Sequence, residues 1–132
     1  MPHLVILYTA NLELETDMTA LCRSLADVML AQTDEAGKPV FPPGGTRVLA
    51  YPAAHYAVAD GQRDYAFVYL NLRMGAGRSD AIKKIAGDAL LARAKAHFDQ
   101  VFSKRHLGLT LQIDESAPAY DGKHSNLHPL FG

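Results

Sequence analysis

Residues 65–79 read YAFVYLNLRMGAGRS, and the order of elements in this stretch decides the fold. Tyr65 to Met74 is dense in aromatic and branched apolar residues with partial alternation, which predicts a strand. Gly75 to Ser79 is a glycine turn that ends in a helix cap, with Ser79 as N-cap and Asp80 in the first turn. Ile82, Ile85, Ala86, Ala89, Ala96 and Val101 then recur at helical spacing, predicting a helix to about Lys104. Leu107 to Ile113 (LGLTLQI) predicts another strand. A helix between two strands of one sheet makes those strands parallel.

The pattern upstream is the same. His3 to Thr9 (HLVILYT) is too short for a helix and reads as a buried strand. Thr16 or Asp17 caps a helix whose stripe is Met18, Leu21, Cys22, Leu25, Val28 and Met29, ending near Gln32. Asp34 to Thr46 holds Gly37, Pro39, Pro42, Pro43, Gly44 and Gly45, so it is a loop. Arg47 to Val58 is strand-like but carries Pro52, which predicts an edge strand or a bent hairpin. Ala59 to Gln62 (ADGQ) is a turn. The tail after Asp114 is turn-rich and ends on Leu127, Leu130 and Phe131, an apolar end expected to dock.

The expected architecture is therefore one domain of the α+β or α/β class over residues 1–132. It consists of two β-α-β halves, 1–58 and 59–114, and a C-terminal tail. Four strands would form one sheet with both helices on one face. Strands apolar on both sides leave the other face in need of cover, which predicts burial by further copies of the chain.

Composition narrows the function. The 132 residues carry a net charge of −1, unlike the basic footprint of a nucleic-acid binder. No apolar run approaches the ~18 residues of a membrane span. No basic region leads into an apolar stretch at Met1-Pro2-His3, so no signal peptide is expected. The lone cysteine, Cys22, excludes an internal disulfide, and a reducing cytoplasm is the expected compartment. Charge is uneven, however. Residues 1–46 hold two basic groups against six acidic ones, and residues 47–105 hold ten against five. Two solvated surfaces account for this, as does a small-anion site in the second half.

Candidate chemistry lies in a few residues. A glycine turn, an arginine and a helix start, as in GAGRS, suit an anion, and Arg78 offers a fork for a carboxylate. The same residues also suit a tight turn with a surface arginine. Ser79 reads as a cap rather than a nucleophile. The six histidines show no metal pattern; His124 and His128 have i,i+4 spacing, but Pro129 argues against a helix there. Pro2 is small enough to permit removal of Met1, which would leave a secondary amine at the chain start. A proline opening a strand is also structurally ordinary.

Four stretches together carry a resemblance: Met1-Pro2-His3 opening onto a strand, ADGQRDYAFV (Ala59 to Val68), GAGRS, and the ending His128-Pro129-Leu130-Phe131. The chain resembles the 5-carboxymethyl-2-hydroxymuconate isomerase family of the tautomerase superfamily over nearly its full length. The resemblance implies a duplicated β-α-β fold, a homotrimer with active sites near subunit boundaries, and proton transfer along a conjugated dienol carboxylic acid without a cofactor. It implies that Pro2 is the general base and that Arg78 grips a substrate carboxylate. A further family arginine precedes the second strand; Arg47 takes that place by position, with Arg73 as the alternative. The loop Pro39 to Gly45 (PVFPPGG) departs from the family pattern where substrate selection can change. A dehalogenase or decarboxylase of the same superfamily, or a trimeric binding protein that kept the fold, are the competing readings.

Overall fold

The computed structural model describes residues 2–131. Strand β1 (His3–Thr9) pairs in parallel with β2 (Arg47–Ala53) and antiparallel with β3 (Ala66–Met74), and β3 pairs in parallel with β4 (Leu107–Glu115). The sheet order is β2-β1-β3-β4. Each half is thus a parallel β-α-β unit, and the two halves meet antiparallel at the centre of the sheet.

Helix α1 (Met18–Leu30) crosses from β1 to β2, and helix α2 (Asp80–His97) crosses from β3 to β4. Alternation places Leu4, Ile6 and Tyr8 of β1 with Val68, Leu70 and Leu72 of β3 on one face. These residues form one core with Leu21, Leu25 and Met29 of α1 and Ala86, Leu90 and Ala94 of α2. Both helices therefore cover the same face. The Asp17 side chain caps α1 by accepting from the Ala20 amide at 3.0 Å. Ser79 caps α2 by accepting from the Ile82 amide at 3.2 Å. At Gly87 an added Cβ would lie 3.3 Å from Ile113 Cδ1, so the missing side chain lets α2 seat closely on β4.

Three boundaries differ from expectation. The helix expected to run to Lys104 is two helices, α2 and the short α3 (Asp99–Lys104), separated at Phe98 with φ −92° and ψ 8°. No glycine or proline marks this break. Strand β2 stops at Ala53 rather than Val58, and it is an edge strand, where Pro52 removes no internal ladder bond. Strand β4 continues to Glu115, where the Lys83 ammonium holds its carboxylate at 2.7 Å. Among the described residues no helix is long and apolar enough to cross a membrane.

The opposite face of the sheet carries Leu7, Leu49 and Tyr51, exposed by 46%, 44% and 50%. The C-terminal 3-10 turn (His128–Phe131) lies against the 3-10 turn Pro43–Gly45. It docks through the backbone of His128, 2.8 Å from where a Cβ on Gly44 would be, while Leu130 remains 72% exposed. The expected docking of the apolar end thus involves the turn and not its apolar side chains.

Candidate active site

One end of the sheet gathers the starts of β1 and β2 and the ends of β3 and β4. Pro2 stands immediately before β1, two residues ahead of buried Leu4, and is itself buried. His3 is the register partner of Arg47 on one side and of Arg73 on the other, and Arg73 is partnered by Asp114. A row Arg47–His3–Arg73–Asp114 therefore crosses the sheet, with strands ~4.8 Å apart. Period-two alternation puts this row on the open face, away from Leu4, Leu72 and the helices. Arg73 lies on the face opposite its buried neighbours Leu72 and Met74. A cleft of about 730 Å³ opens beside the row, lined by His3, Arg47 and Arg73 and by tail residues including Lys123 and His124. Pro2 and Arg78 are not in its lining.

Arg78 occupies the turn between β3 and α2 and is half-buried. Its Nε and Nη2 donate to the Val40 carbonyl at 3.3 and 3.0 Å, and Nη1 donates to the Gly75 carbonyl at 3.4 Å. Its guanidinium carbon lies 5.3 Å from the centre of the Phe41 ring, within cation–π range. A guanidinium has five N–H donors. Three are engaged by carbonyls, which leaves one on each terminal nitrogen, the number a carboxylate fork needs. No acidic side chain among the described residues forms an ion pair with it.

The loop that holds Arg78 is itself braced. The Val40 amide donates to the Gln32 carbonyl at 2.9 Å, and Gly45 and Thr46 turn back on Pro42 and Pro43. Phe41 is 1% exposed. Val40 and Phe41 are neighbours of Arg78 that pattern reasoning missed. The only trace of them is an apolar pair inside a loop of prolines and glycines. Ser79 is occupied as a cap, as expected. Among the described residues no group of three or more His, Cys, Asp or Glu gathers as metal ligands would.

The sequence profile of the 5-carboxymethyl-2-hydroxymuconate isomerases matches residues 2–131. The chain belongs to that family. An Escherichia coli relative, a 5-carboxymethyl-2-hydroxymuconate Δ-isomerase, is 33% identical over 131 residues, which is 99% of each chain. A crystal structure of a 5-carboxymethyl-2-hydroxymuconate Δ-isomerase is 53% identical with a TM-score of 0.95, covering 100% of this chain and 93% of the other. Beyond the family, a fused 4-OT wild-type symmetric trimer superposes with a TM-score of 0.61 at 20% identity, covering 92% of this chain and 93% of the other. That likeness is one of fold, a four-stranded sheet under two helices. As a member of the 5-carboxymethyl-2-hydroxymuconate isomerase family the chain is an isomerase.

Proposed function

We propose that the chain shifts a proton within a small conjugated dienol di- or tricarboxylate of the 5-carboxymethyl-2-hydroxymuconate type. In this reading Pro2, freed of Met1, is the general base, Arg78 binds a substrate carboxylate, and Arg47 assists. Met1 lies outside the described residues, so its removal is part of the proposal. The observation that carries the reading is Arg78, held by two carbonyls with one donor left on each terminal nitrogen.

The chemistry follows from these groups. A terminal amine ordinarily titrates near roughly 7.7–8.0. Burial of Pro2 disfavours the ammonium, which favours a neutral amine able to accept a proton near pH 7. It takes the proton of the enol hydroxyl, leaving an enolate whose charge spreads along the conjugated chain toward the carboxylate. Arg78 stabilises that charge more in the transition state than in the ground state. The ammonium then returns the proton to a carbon of the same chain, giving the ketone and restoring the amine. No other group gains or loses a proton.

The subunits are proposed to form a homotrimer. The exposed apolar residues of the open face support this, and a distant relative of the same fold is a symmetric trimer. The cleft beside Arg47 and Arg73 would then face a neighbouring subunit.

The reading is tested with Arg78→Ala, following loss of dienol ultraviolet absorbance. The expected loss is ~2–5 kcal/mol in kcat/KM, as for a charge pair deprived of one partner. Unchanged kcat/KM removes Arg78 from the site.

A further inference from the structure

We propose that Phe41 is a positioning residue: its buried ring, with the adjoining Val40 carbonyl, aims the Arg78 guanidinium at the substrate carboxylate. This rests on the reading of Arg78 as the carboxylate-binding group.

A lone arginine side chain has four rotatable bonds and samples many positions, and binding a carboxylate with it costs the entropy of fixing them. Here that freedom is already removed. The Val40 carbonyl takes the Nε edge and one Nη2 hydrogen, which fixes the plane and rotation of the guanidinium. The Phe41 ring lies 5.3 Å below it and sets its height above the loop. The Gly75 carbonyl takes one Nη1 hydrogen, so each terminal nitrogen keeps one hydrogen for a ligand. The loop can bear this load because it is anchored at both ends of the contact. Val40 N–H is bonded to the Gln32 carbonyl two residues past α1, and Gly44 is packed against the backbone of His128. Phe41 joins the main core, so the ring cannot swing away without opening a cavity.

The choice of residues fits the task. A carbonyl and an aromatic face attract a guanidinium without neutralising it, whereas an aspartate or glutamate there would compete with the substrate. The loop Pro39 to Gly45 is therefore the element on which the arginine rests. Changes in it would alter where the carboxylate is held.

The test is a double-mutant cycle on kcat/KM. Wild type, Phe41→Leu, Arg78→Lys and the double variant are compared, with far-ultraviolet circular dichroism and light scattering to check fold and assembly. Phe41→Leu is expected to lower kcat/KM on the order of 10-fold, because small misplacements of a binding group are costly. In the Arg78→Lys background the same change should have almost no effect. An equal drop in both backgrounds would show that the ring merely packs and would overturn the positioning role alone. No drop from Phe41→Leu in folded protein would also overturn it. If Arg78→Lys and Arg78→Ala are both as active as wild type, the function reading fails and this proposal falls with it. Should Phe41→Leu not fold, Phe41→Met fills the site with a more adaptable apolar chain but loses the ring face, and the same comparison applies.

Discussion

At the scale of single residues, chemistry and stability separate cleanly. Pro2 is the sharpest case. If Met1 were retained, the proline nitrogen would be an amide whose lone pair is held in resonance, and it could not accept a proton near neutral pH. Protein processed to a free Pro2 is expected to be active, and protein retaining Met1 nearly inactive with the same fold. Intact mass sorts the two forms, and equal rates from both would remove Pro2 as the base. His97 is a different matter. Burial lowers its pKa below the ordinary 6.5, opposed in part by the charge of Asp17, and its Nε2 lies 2.8 Å from Thr16 Oγ1 at the entrance to α1. A base with a depressed folded pKa favours the neutral form in the fold. Its stabilising effect is full above 6.5 and is lost as pH falls through the folded value, because the unfolded chain takes up the proton first. Denaturant midpoints should therefore fall between pH 7.5 and 5.5 more in wild type than in His97→Gln. Equal slopes would clear His97 of the effect. Arg78 was a candidate from the sequence because GAGRS places it beside a cap and a glycine turn. Phe41 was not, since an apolar residue in a loop has no periodicity and its partner lies 37 positions away.

At the scale of elements, caps and alternation were read correctly where one local rule acts. Ser79 and Asp17 cap the helices because a hydroxyl or carboxylate before an apolar stripe has an orphan amide to satisfy. Ser79→Ala should cost ~1 kcal/mol of stability by denaturant titration, and a change below a few tenths would show that another group takes over the cap. The break at Phe98 had no such rule behind it. Its backbone departs from the helix without a proline or glycine, so only the packed structure reveals that α2 and α3 are two helices. The loop Pro39 to Gly45 illustrates the other limit. Its prolines and glycines announce an irregular path, but its contacts with Arg78 and His128 are long-range. Gly44 is the test of that packing. A Cβ there would stand 2.8 Å from the His128 Cα, a backbone atom that cannot rotate aside. Gly44→Ala should therefore cost ~1–3 kcal/mol, the usual range for overpacking. A neutral result would mean that the C-terminal turn is free to retreat.

At the scale of the whole molecule, the two faces of the sheet obey different demands. The helix face closes on itself within one chain, with Leu4, Ile6, Val68, Leu70 and Leu72 fully covered. The other face has apolar residues where β2 and β1 meet, Tyr51 and Leu7 in one row and Leu49 and Val5 in the next, polar Asn71, Thr110 and Gln112 toward β4, and charged ones only in the row Arg47–His3–Arg73–Asp114. An apolar centre beside a charged row is the anatomy of an interface with a polar margin. Closure around a threefold axis lets three such faces cover each other without leaving an open edge for further growth. The chain is therefore expected to scatter light as a particle of three times its 14.4 kDa. Leu49→Glu sets a charge in the middle of the open face and nowhere near the helix core, so it should dissociate the assembly while the monomer keeps its circular dichroism spectrum. The same variant also reads the site. If the cleft beside Arg47 is completed by a neighbour, kcat/KM should fall in step with the trimer fraction as the protein is diluted. A wild-type monomer at micromolar concentration, fully active, would show that the open face is not a subunit contact and that the site is complete in one chain.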